Sequence, residues 1–282
     1  MDTRSGSRAA FPLSVPVAGP SPRSLRDRLS SGWRAFRAGV AFGLFGLGAL
    51  VLAFVCFPIL RLLRGTTRER EIRAQYLVHL AFRLFAWLME GLGLIRVSWI
   101  GAERLRQPGP YLVIANHPTL IDAVLLIARM PQADCVAKRE VWNNPFLRGV
   151  VGPPGYIPND QGEALVDACV KRLQEGGCLL LFPEGTRSPM GQLGRFRRGA
   201  ARIALKSGCD IVPVVLTHDP PGQMKGQKWY DVPPRTSRVT LSVEAPISAR
   251  EYVDHRSTAF AARRLTAAFR ALYEERLRRV GS

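Results

Sequence analysis

The chain has 282 residues, 47% of them hydrophobic, with 40 basic against 22 acidic side chains and a formal net charge of +18. That length holds one large α/β domain plus a small appendage, with ample chain for a core. The charge calls for an anionic partner, and because the basic residues fall in separate groups around an apolar segment, with no nucleic-acid-binding motif, it argues for a lipid surface or an acidic protein over nucleic acid.

Residues 1 to about 22 are Gly, Ser, Pro and Arg with little apolar periodicity and are expected to be disordered. Leu25 to Arg37 reads as a short basic helix that sets Trp33 and Phe36 at a membrane interface. Ala38 to Leu60 then runs 23 residues without a charge, bounded by Arg37 and Arg61, which is long enough to cross the hydrocarbon core. It is too long and starts too far in for a signal peptide, and Gly39, Gly43, Gly46 and Gly48 suit a membrane helix. The Arg excess after the segment (Arg61, Arg64, Arg68, Arg70, Arg73) favours a cytoplasmic catalytic part. Pro58 and the similar flanks also leave room for a helix that enters one leaflet without crossing.

Arg68 to about Leu92 mixes apolar and charged residues and reads as an amphipathic helix lying on the membrane or beneath the enzyme. These boundaries divide the chain into 1–37, 38–60, 61–93 and a catalytic region 94–282. Ile95 to Ile100 alternates as a strand. Further strands are expected near 111–115, 133–137, 178–182, 211–216 and 238–244, with helices near 119–129, 161–175, 198–207 and 258–279. That succession predicts an α/β fold, a mainly parallel sheet flanked by helices, with the site at its strand ends.

Two strand ends carry chemistry. Tyr111 to Ala115 leads into Asn116-His117-Pro118-Thr119-Leu120-Ile121-Asp122, with Pro118 suited to the first position of the next helix. Asp122, about one turn further on, is placed to reach the imidazole of His117, fix its tautomer and let its other nitrogen take a proton from a hydroxyl. Leu179 to Phe182 runs into Pro183-Glu184-Gly185-Thr186-Arg187-Ser188. From there to Cys209 the chain has no acidic residue but holds Arg187, Arg195, Arg197, Arg198, Arg202 and Lys206. A turn with Gly, a hydroxyl and Arg before a basic run suits an anionic group.

Together these two stretches resemble the glycerolipid acyltransferase family (lysophosphatidic-acid-acyltransferase-like), with its N-H-x4-D and F-P-E-G-T-R blocks. Lys138-Arg139-Glu140-Val141 with Gly155-Tyr156-Ile157-Pro158 is similar to the family's middle block, and Ile211-Val212-Pro213-Val214-Val215 to its last. By that resemblance His117 is the general base and Asp122 its partner. Asn116, Lys138, Glu184, Gly185, Thr186 and Arg187 bind substrate. The wording Asn-His-Pro-Thr-Leu-Ile-Asp, with Lys225 to Tyr230 and Val232 to Arg235 later, is most similar to a bacterial subgroup that accompanies aryl-polyene or polyketide-type lipid clusters. The chain departs from many phosphatidic-acid-forming members, which carry an Arg shortly after Gly-x-Ile-Pro; here Pro158-Asn159-Asp160-Gln161 holds no cation.

The resemblance implies a bacterial inner-membrane enzyme that moves an acyl group from acyl-CoA or acyl-carrier protein to the hydroxyl of a lysophospholipid or related lipid. It implies no metal and no further cofactor. A specialised aryl-polyene-type acyl transfer, a thioester or lipid hydrolase, and a non-catalytic lipid- or carrier-binding protein are the other readings. Cys56, Cys135, Cys169, Cys178 and Cys209 have no paired spacing and read as core thiols of a reducing compartment. His79, His117, His218 and His255 form no ligand cluster, so no metal site is indicated.

Overall fold

The computed structural model describes residues 25–106, 109–143, 145–159, 162–189, 192–222, 224, 226–227, 231–254 and 257–281. The expectations for residues 1–22, for Asp160-Gln161 and for most of Lys225 to Tyr230 lie outside them.

Helix α1 (Leu25–Val51) passes through a π-helical stretch (Leu52–Cys56) into α2 (Phe57–Leu62), so the basic segment and the apolar segment form one continuous rod. No break falls at Arg37, because nothing there interrupts helical hydrogen bonding; Pro58 sits at the start of α2, where its missing N–H is tolerated. A short turn leads to α3 (Thr67–Gly91), whose start is set by a capping box: Thr66 and Glu69 exchange side-chain-to-backbone hydrogen bonds at 3.2 and 2.8 Å.

The rest of the chain follows as β1 (Ile95–Ile100), β2 (Tyr111–Ala115), α4 (Asp122–Ile127), β3 (Asp134–Ala137), α5 (Arg139–Asn143), α6 (Pro145–Val151) and β4 (Ile157–Pro158). It continues as α7 (Glu163–Gln174), β5 (Cys178–Leu181), α8 (Gly199–Ser207), β6 (Asp210–Asp219), β7 (Ser237–Val243), β8 (Ile247–Ser248) and α9 (Thr258–Gly281). The strands form one sheet in the order β1-β7-β6-β2-β5-β3-β4, with β8 on β6. From β6 through β4 every pair is parallel, whereas β7 and β8 lie antiparallel to β6. The sheet is therefore mostly parallel, as its alternating elements predict, with a reversal at β7. Elements α5, α6 and β4, in the stretch read only as a block and a loop, are additional.

Alternation along the central strands divides the core. Tyr111, Val113 and Ala115 with Val212, Val214 and Leu216 face α3, α4 and the N-terminal helix. Leu112, Ile114, Ile211 and Val215 face α7, α8 and α9. On that second side Tyr273, fully buried, donates to the carbonyls of Ile114 and Val214 at 2.7 and 3.2 Å, clamping the end of β2 to the middle of β6.

The amphipathic helix α3 is joined to the sheet by a buried polar network. Arg68 grips Asp134 on β3 through both guanidinium nitrogens at 3.2 and 2.9 Å. The Gln75 amide bonds Asp134 at 2.9 Å and the Pro154 carbonyl at 3.0 Å. From α7, Arg172 reaches Glu71 at 2.6 Å and the Gly155 carbonyl at 3.1 Å. With Asp134 removed, Arg68 and Gln75 lose their shared acceptor inside the protein, and truncating one partner of a buried pair costs about 3–5 kcal/mol. Asp134→Ala is expected to lower the urea midpoint of the detergent-solubilised protein correspondingly. An unchanged midpoint would show that α3 is held by its apolar face alone.

Candidate active site

The site lies at the C-terminal ends of the neighbouring parallel strands β2 and β5, where an open α/β sheet presents its loops to ligands. Parallel register brings the turn after Ala115 beside the turn after Leu181, and backbone contacts lock the two. The Ser188 N–H donates to the His117 carbonyl at 2.6 Å, and the His117 N–H donates to Glu184 at 3.1 Å. The His117 ring stacks on Phe182 with centroids 4.1 Å apart and 22° between planes, which restricts it to one orientation.

Asp122 is the hub of this arrangement. Its side chain is 0% exposed, yet each carboxylate oxygen takes two donors. One oxygen accepts from His117 Nδ1 at 3.0 Å and from the Thr119 N–H at 2.7 Å. The other accepts from the Thr119 hydroxyl at 2.6 Å and from His218 Nε2 at 2.8 Å. Burial pushes the Asp122 pKa up, but the hydrogen bonds and charges of His117 and His218 outweigh it and hold the group below the ordinary value of 3.8. An ionised carboxylate has no proton to give, so His117 Nδ1 and His218 Nε2 are both donors. The neutral His117 is thereby held with Nε2 unprotonated, as a hydrogen-bond and proton acceptor.

The helix after this turn starts at Asp122, four residues later than Pro118 suggests. Thr119 gives its N–H and hydroxyl to the Asp122 carboxylate, and that side-chain turn takes the place of the first helical turn.

The other expected site residues separate into two groups. Asn116 is buried, and its amide exchanges two hydrogen bonds with the backbone of Leu216 on β6, at 2.9 and 2.8 Å. It thereby ties β2 to β6 directly ahead of His117. Glu184 is likewise buried and committed to three protein donors: the His117 N–H, the Ser188 hydroxyl at 2.7 Å and the Gly194 N–H at 2.8 Å. It braces the turns that carry His117 and Gly194. Gly185 has φ +69, in the region that favours glycine, and a Cβ there would meet the Arg197 guanidinium at 3.1 Å. Arg197 thus lies directly over the turn.

Arg187 donates to the carbonyl of Met224, placing its guanidinium between the turn and the segment after β6. Thr186 is half-buried on the same turn, and Lys138 is exposed at the C-terminal end of β3. Turn and basic residues thus share the sheet edge that bears His117.

Beside this centre an apolar cleft opens between the N-terminal helix and the sheet. Ala38, Met89, Leu94, Ile121, Val232 and Pro233 wall it, Arg34 and Arg235 supply its charge, and His218 lines it. The long segment after Asp219 contributes Gly222, Val232 and Pro233 among its described residues.

His218, Thr119 and Ser188 were not singled out by residue pattern. His218 was recoverable, since it continues the alternating row Val212, Val214, Leu216 on β6, two residues beyond the strand limit expected from apolarity. A His where that row calls for an apolar residue is the signal.

Comparison with known proteins shows what the chain is similar to. Residues 96–217 match the family model described as Acyltransferase. The 1-acyl-sn-glycerol-3-phosphate acyltransferase of Pseudomonas aeruginosa is 27% identical over 187 residues, covering 64% of this chain and 70% of that one. The Helicobacter pylori enzyme of the same name is 35% identical over 115 residues, 38% of this chain and 48% of its own length. The human alpha form is 27% identical over 176 residues, 60% and 59% of the two chains. Several relatives are thus matched over about half their length or less. The crystal structure of the 1-acyl-sn-glycerophosphate acyltransferase PlsC from Thermotoga maritima superposes with TM-score 0.66 at 21% identity, over 92% of this chain and 97% of that one, so the fold is shared.

The lowered pKa of Asp122 has a sign in stability. A carboxyl ionising more readily folded than unfolded stabilises the fold above its unfolded pKa, and that contribution fades as pH falls through the lower folded value. The thermal midpoint is therefore expected to drop on acidification below about pH 4, and Asp122→Asn to flatten that drop. Equal acid slopes in the two proteins would refute the assignment.

Proposed function

We propose that this chain, whose residues 96–217 form an acyltransferase-family domain, is a membrane-bound O-acyltransferase with His117 as its general base. The observation that carries the reading is the His117–Asp122 contact, which leaves Nε2 as the proton acceptor. His117 Nε2 takes the proton of the acceptor hydroxyl as its oxygen attacks the thioester carbonyl. Asp122 stabilises the imidazolium so formed. The tetrahedral intermediate collapses with cleavage of the carbon–sulfur bond, and the imidazolium returns its proton to the departing thiolate. An ester and a free thiol result.

The acceptor is a lysophospholipid or related lipid, and the donor is acyl-CoA or acyl-carrier protein. The names of the relatives, 1-acyl-sn-glycerol-3-phosphate acyltransferases, support the first. Arg187 and Lys138, on the sheet edge that bears His117, supply cations for an anionic headgroup. A specialised, aryl-polyene-type transfer is the second reading, favoured by the absence of a cation in Pro158-Asn159-Asp160-Gln161.

The helix through residues 31–62 is long and apolar enough to cross a membrane. One face, from Trp33, Phe36 and Leu44 to Phe54 and Ile59, is exposed and apolar, and Leu80, Leu84 and Trp87 on α3 are exposed too. The opposite face is taken up by protein. Arg37 donates to the Leu92 carbonyl, and Ala53 sits against Gly149 of α6. The sixteen residues between those contacts span about 24 Å, so most of a bilayer's hydrocarbon thickness is held along the catalytic part. We read the helix as lying in one leaflet of the bacterial inner membrane, on the cytoplasmic face. The cleft beside His218 then opens next to the acyl chains.

In that arrangement cysteines placed at Trp33 and Leu62 react with an impermeant maleimide from the same side of sealed vesicles. Labelling from opposite sides would establish a span instead. For the chemistry, His117→Ala is expected to stay folded and membrane-bound while acyl transfer falls about a hundredfold or more. Arg187→Ala is expected to raise the acceptor KM with a smaller change in kcat. Near-normal turnover in the first variant removes His117 as base, and an unchanged KM in the second removes Arg187 from the acceptor site.

A further inference from the structure

We infer that His218 is a positioning residue for acyl transfer, acting on the reaction through Asp122. This rests on the general-base reading of His117.

His218 projects from β6 on the sheet face that bears His117, and its side chain is 3% exposed. Its Nε2 lies 2.8 Å from one oxygen of Asp122, while His117 Nδ1 lies 3.0 Å from the other. Thr119 closes the group, with its hydroxyl 3.4 Å from His218 Nε2. The three preceding positions of the same row, Val212, Val214 and Leu216, are apolar core. An imidazole in a fourth buried place costs desolvation that a Leu would avoid, so packing does not account for it.

Its contact with the carboxylate does. Thr119 already holds the carboxylate in place through a donor on each oxygen, so what His218 adds is a second imidazole drawing on the same charge. With a ring N–H on each oxygen, Asp122 shares its charge between His117 and His218. The stabilisation available to the imidazolium of His117 is thereby capped. The imidazolium that forms remains acidic enough to return its proton to the departing thiolate.

The other charged groups about His218 come from separate elements. Arg34 of α1 and Arg235 ahead of β7 line the same cleft. Asp219, next in the chain, is paired with Arg235 at 2.8 Å. Asp122, from the start of α4, is the carboxylate bonded to the ring. Loss of the His218 donor leaves Asp122 with more charge for His117, so the His117 imidazolium becomes harder to deprotonate.

The test is the titration of His117 in detergent-solubilised full chain carrying isotope-labelled histidine, followed by NMR in the wild type, His218→Leu and His218→Gln. The Gln amide places an N–H where Nε2 stood. In His218→Leu the His117 midpoint is expected to rise by about half a unit or more. The acidic limb of kcat, followed by thiol release from acyl-CoA with lysophosphatidic acid, is expected to move up with it, with kcat down about tenfold and KM unchanged. His218→Gln is expected to keep the wild-type midpoint and most of kcat. An unmoved His117 midpoint in His218→Leu, or equal behaviour of Leu and Gln, overturns the inference. Should the Leu variant fail to fold, His218→Asn, whose amide falls one methylene short, replaces it with the same expected shift. The titration needs no turnover, so it stays decisive for His218 even where His117→Ala keeps its activity and the general-base reading fails.

Discussion

The constraint on which the structure turns is the burial of an ionised carboxylate. Asp122 has no exposed side-chain surface, and such a group is tolerated only when its oxygens are met by donors. Those donors come from the turn after β2 and from β6, ninety-six residues away in sequence, while Asp122 itself opens α4. The three pieces must therefore hold their relative positions closely. Tyr273 and Asn116 serve that end. The first bonds carbonyls of β2 and β6 from one face of the sheet, and the second ties the last residue before His117 to Leu216.

A second buried carboxylate does the same for the neighbouring turn. Glu184 gathers donors from His117, Ser188 and Gly194, so the His117 backbone and the basic turn form one rigid unit. What remains flexible in chemistry is at the edge: Arg187, Arg197 and Lys138 are long cations beside a fixed imidazole. Rigid placement of the proton acceptor with adaptable cations around it suits a reaction whose substrates bring a charged head and a long apolar tail. On the inner side, the Asp134 network fixes α3 to the sheet, and with it the N-terminal helix that packs on α3.

Much of this was legible in the residues, and where it was not there is a physical reason. The mostly parallel sheet follows from apolar runs alternating with amphipathic stretches, and the His117–Asp122 pairing from a separation of one helical turn. Local spacing carries no information on tertiary partners, however. His218 fell outside the strand expected over 211–216, whereas β6 runs on to Asp219, three residues past the apolar run. Asn116 and Glu184 have the side chains of ligand-binding residues, and only the structure shows that they brace the backbone of β6 and of the two turns. The start of α4 was misplaced because Pro118 is a good first residue for a helix, while the turn that Thr119 makes with Asp122 competes better. The continuous rod from α1 through α2 was divided in the reading at Arg37, where charge changes but helix propensity does not.

The measurement that bears most directly on the central claim follows both products of thioester turnover by the purified protein. Acyl-CoA and acyl-carrier protein are supplied separately, with and without lysophosphatidic acid. The account predicts thiol release that depends on the acceptor and equals the diacyl lipid formed. Thiol and free fatty acid appearing at the same rate without acceptor would contradict it, and would make the same His117–Asp122 pair the base of a hydrolase.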